Sequence, residues 1–280
     1  MNQLVDELNR LCDAQPFHTG WHLKNLRTGE TADRFGDQVV PSASTRKIAI
    51  MMAALKGVNE GRFSLDQPVE ILAKYQDNNS GTFQHLTPGF TITFRDALVM
   101  MIIVSDNTCT GTVADMVGLD AVNALCQSIG MTGTTHRHGI PPGNLQRDHP
   151  LDATNTTTPN DVGLLLDLIL KGTTDEEAAA QLGCTTELCQ LGLDILSWQK
   201  LRARLPSMLP GGVKVAHKTG TGARNINDAG IIFDTNDNPL FILTVYTDNL
   251  PETLPDGTPG HTAGTQIIGK LARACWDALA

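Results

Sequence analysis

Segments with the alternation of β-strands lie only towards the two ends of this chain, and a long stretch that reads as helix separates them. Near the start, Trp21 to Leu26 alternates and Arg27-Thr28-Gly29-Glu30 reads as a hairpin turn. After Pro210 come Val213 to Gly222, Ala229 to Phe233, a turn at Thr235-Asn236-Asp237-Asn238, and Leu240 to Tyr246. Between them the spacing predicts a helix over Thr45 to Lys56, with Ser44 at its N-terminal edge and Gly57 closing it. Thr93 caps another that ends near Val104, and further helices cover Asn107 to Val117 and Asp120 to Gly130. Thr158-Pro159 opens a fourth, with Gly172 beyond its end. Amphipathic helices are expected over Met1 to Asp13 and over Thr262 to Leu279. The economical arrangement is α+β: an antiparallel sheet built from both chain ends, covered by the terminal helices, with the helical part inserted. One lobe is expected from residues 1–41 and 209–280, and an all-helical lobe from 42–208, with a ligand groove between them.

Composition narrows the partners. The chain of 280 residues has a net charge of −9, which repels phosphate backbones and acidic membrane surfaces and so argues against nucleic acid and membrane as partners. The longest apolar run, Ala97 to Val104, is far too short to cross a bilayer. Met1 to Asp13 lacks the basic start, apolar core and cleavage site of a signal peptide, so the expected location is the cytoplasm. The six cysteines are scattered without a dense pattern and are expected as thiols. Cys184 and Cys189 have no second cysteine pair, and His136-Arg137-His138 reads as a polar loop, so no metal is expected. Nothing in the sequence calls for an organic cofactor.

The chemistry begins at Ser44-Thr45-Arg46-Lys47, an S-x-x-K. On a helix this spacing puts serine and lysine on one face. A serine hydroxyl is a poor nucleophile until a base takes its proton. Lysine is that base only where burial or neighbouring cations lower its pKa. A second S-x-x-K, Ser197-Trp198-Gln199-Lys200, is read as ordinary helix surface with Trp198 as the packing residue. Company separates the two copies. Ser105-Asp106-Asn107 follows Ser44 at a junction of two helices, and Lys218-Thr219-Gly220 lies on a strand. S-x-x-K, S-D-N and K-T-G together are a signature of class A β-lactamases and penicillin-binding proteins.

The chain therefore resembles the class A β-lactamase family. Pro41 to Leu55 is similar to its nucleophile helix, Ile102 to Thr108 to its second motif and Ala216 to Gly222 to its third. Thr156 to Pro159 and Asn227-Asp228 also match family segments. The resemblance implies a five-stranded antiparallel sheet flanked by helices, with an all-helical domain beside it. It implies that Ser44 is acylated, that Lys47 takes its proton, and that Ser105 relays a proton to the leaving nitrogen. Lys218 would hold Ser105 and help bind an anionic substrate, with Thr219 donating to the same carboxylate. Asn107 would fix Lys47 and the substrate's side-chain amide, while Ser44 and Thr221 would supply oxyanion-hole N–H groups. Gly220 and Gly222 would leave room for substrate against the strand. Arg224 either recognises a carboxylate through its fork or sits on the surface. Asp106 is expected to cap and orient its loop, and His217 to be a bystander.

The chain departs from the family in one respect that matters for mechanism. No glutamate occurs between Glu70 and Glu176, so the family's loop glutamate for deacylation is missing. Ile140 to Asn155 offers only Asp148 and Asp152 as carboxylates, and Asn155 stands where a loop-closing aspartate is expected. Three outcomes follow: one of those aspartates is the base, Lys47 serves both half-reactions, or deacylation is slow. The expected function is hydrolysis of a lactam or related small amide carrying a carboxylate. The alternatives are a cytoplasmic amidase, esterase or peptidase on the same scaffold, and a lactam-binding protein with a long-lived acyl-enzyme.

Overall fold

Burial divides the apolar residues of one sheet between two faces, and each face carries its own set of helices. The computed structural model describes residues 1–280. Its strands are β1 (His18–Asn25), β2 (Thr31–Arg34), β3 (Val215–Thr221), β4 (Ile226–Phe233) and β5 (Pro239–Asp248). They lie in the order β2-β1-β5-β4-β3, and every pairing is antiparallel. The five-stranded α+β arrangement is as the sequence led us to expect. β5 joins the N-terminal hairpin to the C-terminal strands, with Trp21 opposite Val245. β3 is left as an edge.

Trp21, Leu23, Phe241, Leu243 and Val245 face α1 (Asn2–Asp13) and α9 (Gly260–Leu279). Ala216, Ile231, Ile242 and Tyr246 face the larger core. That core is centred on α2 (Lys47–Asn59), in which every residue from Lys47 to Leu55 is buried. A helix apolar on all sides belongs in the middle of a helical layer. Around it pack α3 (Phe94–Ile103), α4 (Asn107–Val117), α5 (Leu119–Ser128), α6 (Pro159–Gly172), α7 (Glu176–Gln181) and α8 (Thr186–Ser197). α6 also lies on the sheet, where Thr244 donates to the Pro159 carbonyl at 2.9 Å. No helix is long and apolar enough to cross a membrane. All six cysteines are buried free thiols.

Two local expectations change. Gly57 does not close α2, which runs on to Asn59. A Cβ at Gly57 would stand 2.6 Å from the Phe63 ring, so this glycine is there for packing, and the left-handed residue after the helix is Gly61 at φ 72°. The segment carrying His136 is not a solvated polar loop, because His136 is 3% exposed.

The loop that follows, up to Asn155, borders the turn that carries Ser44. Pro41 pairs with Thr156, and Ser42 N–H donates to the Asn155 carbonyl at 2.9 Å. Asn155 closes the loop with a neutral amide. Its Oδ1 accepts from the N–H groups of Arg137 (2.6 Å) and His138 (2.9 Å), and its Nδ2 donates to the His138 carbonyl at 3.2 Å. An aspartate there would keep the two acceptances and set a carboxylate oxygen against that carbonyl. We expect Asn155→Ala to lower unfolding free energy by about 1–3 kcal/mol in urea titrations, because buried N–H groups lose their acceptor.

Candidate active site

The nucleophile candidate sits on a turn that the sheet holds in place. Residues Ala43–Arg46 form a single 3-10 turn that leads into α2. Ala43, just before Ser44, has φ 44°, an unfavourable conformation for a residue with a Cβ. The turn is clasped from β4 and β5. Asn225 and Asn227 donate to the Pro41 carbonyl at 3.1 and 2.9 Å, and the Tyr246 hydroxyl donates to Thr45 Oγ1 at 2.9 Å. β3 presses on it from the edge. A Cβ at Gly220 would come within 3.1 Å of Ser44 N, Ser42 O and the Ala43 Cβ. The space beside Gly220, expected for substrate, is thus taken by the turn itself. At Gly222 a Cβ would meet Asn225 Oδ1 at 2.1 Å.

Lys47, one turn on, is 0% exposed. Its Nζ donates to the Ser105 carbonyl (2.8 Å) and Asn107 Oδ1 (2.7 Å) and lies 3.1 Å from Ser105 Oγ. Burial, then the nearby charges of Lys218 and Arg46, holds the amine well below its usual pKa, against a smaller opposing pull from Asp106. Ser105 has φ 59°, a strained backbone of the kind that gathers at functional sites. Asp106 holds that backbone as the cap of α4. Its carboxylate accepts from Cys109 N–H (3.0 Å) and from Thr82 and Phe83 N–H (2.7 and 2.8 Å).

Lys218 on β3 is also wholly buried, and its Nζ donates to the Thr219 carbonyl at 2.9 Å rather than to Ser105. Burial and then Arg204 bring its pKa down to about 7. Arg204 escaped the sequence reading. It donates to the carbonyls of Gly220 and Asn227, each at 2.6 Å, and to Thr221 Oγ1, which puts a third cation at the end of β3. Asp228 positions it by accepting from Leu205 N–H (3.1 Å) and from His217 Nδ1 (2.9 Å). An arginine in a loop before the sheet, two residues after Arg202, carries no local signal for such a role.

A cleft of about 520 Å³ runs between β3 and the helical layer, with Ser44, Ser105, Asn107, Thr219 and Thr221 on its walls. No aspartate or glutamate lines it, whereas Arg46, His149 and His261 do. Asp148 and Asp152 are exposed and off its walls. Arg224 is likewise outside, with its fork on Asp248 at 2.6 and 2.9 Å and a bond to the His149 carbonyl at 2.8 Å. The carboxylate it recognises is internal. The second S-x-x-K holds no comparable cluster. Ser197 Oγ donates to the Asp194 carbonyl at 2.7 Å, Trp198 is exposed, and the packed residue is Gln199, which donates to the Ile102 carbonyl at 2.9 Å.

A cleft with this serine, two buried amines and an asparagine, set between a five-stranded sheet and a helical layer, has close counterparts. The model of the beta-lactamase enzyme family matches residues 3–279. The chain belongs to that family. It is a hydrolase of the β-lactam-opening type. Beta-lactamase AER-1 of Aeromonas hydrophila is 31% identical over 80% of this chain and 71% of its own length. The structure of a beta-lactamase from Sphaerobacter thermophilus superposes with a TM-score of 0.83 at 28% identity, covering 99% of this chain and 97% of that one. PBP-A gives the same TM-score, 0.83, at 26% identity over 99% and 96% of the two chains. A point mutant of PBP-A has been captured as an acyl-enzyme complex with penicillin-G.

One residue beside the β-lactamase-family cleft gives a clean stability test. Burial and then the Arg46 guanidinium bring His136 down to about 3, so it is neutral in the fold at any pH above that. Unfolded, a histidine binds its proton near 6.5. The unfolded chain therefore holds more protons between pH 6.5 and 3, and stability from this group is complete above 6.5 and drains away as pH falls through that window. Urea midpoints should drop over this range, and His136→Gln should flatten the slope. Parallel slopes in the two proteins would refute the account.

Proposed function

We propose that this chain opens β-lactams, or closely related small cyclic amides bearing a carboxylate, through an acyl-enzyme on Ser44. The observation that carries the reading is the Lys47 amine, shut away from water, bonded to Ser105 and Asn107, one turn from the Ser44 hydroxyl. A neutral amine there accepts the Ser44 proton as Oγ bonds to the lactam carbonyl carbon. N–H groups of Ser44 and Thr221, both lining the cleft, take the oxyanion, each donor worth about 3 kcal/mol in such sites. The C–N bond then breaks, and the proton passes from Lys47 through Ser105 to the departing nitrogen. The Nζ–Oγ separation of 3.1 Å suits that relay. Lys218, Thr219 and Arg204 receive the substrate carboxylate at the end of β3.

Deacylation needs a base for water, and this cleft has no carboxylate on its walls to serve as one. We read the acyl-enzyme as long-lived, so that lactam binding outlasts lactam turnover. The equal likeness to PBP-A supports a second reading of the same site, a peptidase of the penicillin-binding kind, for which acyl-D-Ala-D-Ala peptides are the test substrates.

Intact mass after incubation with benzylpenicillin should gain one equivalent of the whole lactam, and the adduct should persist once free lactam is removed. Ser44→Ala should abolish it and Ser197→Ala should leave it unchanged. An adduct on Ser44→Ala, or rapid hydrolysis with no accumulated adduct, would sink the corresponding part of the proposal.

A further inference from the structure

The second variable residue of the nucleophile motif is a buried arginine with almost nothing to neutralise it. Arg46 is 3% exposed. One end of its guanidinium donates to the Gly139 carbonyl, while Nη1 is buried without a partner. No carboxylate forms an ion pair with it. Such a cation is costly to bury when a partner is missing. Nothing in the packing of the turn asks for a charge at this position, since a neutral side chain would fill it without that cost.

Two uses are open to such a group. As an anion subsite it would have to present Nη1 to the cleft, but that atom is closed off from solvent. Its field, by contrast, acts without contact. Arg46 is the immediate neighbour of Lys47 in the chain, and both side chains are buried where water screens little. We propose that Arg46 is a positioning residue whose buried, unpaired guanidinium keeps the Lys47 amine uncharged and ready to accept a proton.

The other groups facing Lys47 come from every element around it. Lys218 on β3 acts in the same sense as Arg46, and Asp106 and Cys109 on α4 act against it. His136, on the neighbouring loop, touches the Arg46 carbonyl from Nε2 at 3.4 Å and stays neutral, so it adds no charge. Asp106 is the one acid in the set, and three backbone N–H groups already occupy its oxygens. With Arg46 removed, Lys218 and burial would oppose Asp106 alone, and the amine would gain its proton more readily. Arg46 stays charged at neutral pH, since burial lowers it only to about 10.

The inference deepens the acyl-enzyme reading, but its first test needs no substrate. Protein labelled with ¹³Cε-lysine reports Lys47 directly in an NMR pH titration, its signal assigned by loss in Lys47→Met. In the wild type Lys47 should titrate well below the exposed Lys270. Arg46→Gln should move it up by about one pH unit, a tenfold change in proton affinity, and Arg46→Lys should leave it near the wild-type position. Lys47 titrating with the surface lysines in the wild type would overturn the inference even if Arg46→Gln fails to fold, and so would an unmoved Lys47 in a folded Arg46→Gln. The second test follows acylation by benzylpenicillin against pH. Arg46→Gln should lose about tenfold at pH values below both Lys47 titrations and converge on the wild type above them, whereas an equal loss at every pH would mark a structural role and overturn the inference. If the wild type forms no adduct at any pH, the acyl-enzyme proposal falls and the NMR result still decides this one.

Discussion

An amine closed off from water, with cations around it and no carboxylate bonded to it, is the constraint on which the rest of this cleft depends. Burying Lys47 of α2 and Lys218 of β3 where the helices meet the sheet stabilises neither of them as ammonium. In the proposed reaction the return is chemical, because a desolvated amine is the form that would take a proton from Ser44. Its place is fixed by donation from Nζ to the Ser105 carbonyl, Asn107 Oδ1 and Ser105 Oγ.

Holding that geometry requires strain on both sides of the amine, at Ala43 and at Ser105. Strained residues persist only where their surroundings over-determine them. On one side the sheet does this, through Asn225 just before β4, Asn227 on it and the Tyr246 hydroxyl. On the other, Asp106 ties three backbone N–H groups around the Ser105 turn, and Ser80 donates to the Ser105 carbonyl at 2.9 Å. Gly220 completes the arrangement by contributing nothing: without a Cβ, the edge strand can lie against the nucleophile's turn. The chain ends thus serve the site by building a stiff sheet, and the helical middle serves it by shutting out water.

Much of this was legible in the sequence, and the reason is locality. Ser44, Ser105-Asp106-Asn107 and Lys218-Thr219-Gly220 each sit at a helix start, a helix junction or a strand, contexts that caps and alternation reveal within a few residues. The caps at Thr93, Asp106 and Thr158 are all formed in the structure. What failed depended on distant contacts. Arg204 acquires its place from β3 and β4, Arg224 loses its freedom to Asp248, and Gly57 is decided by Phe63. Trp198 and Gln199 exchange the roles expected of them because the chain leaves α8 at Ser197, which turns the tryptophan outward. α7 and α8 open on the cap residues Asp175 and Thr185, and α7, at six residues, is too short to show a helical period.

The missing carboxylate is of a piece with the rest of the loop. Asn155 closes that loop as a neutral group, Arg46 borders it as a cation, and the nearest aspartates face solvent. An acid added to this cleft would meet Arg46 and the two buried amines before it met a water. Pairing with them would return a proton to the amine that acylation needs free, because an opposite charge favours the charged form. A carboxylate here therefore does more than supply a base for the second half-reaction; it changes the charge balance that drives the first. On this view the neutral loop and the buried cations form one electrostatic arrangement, in which the proposed acyl-enzyme would form readily and be released slowly.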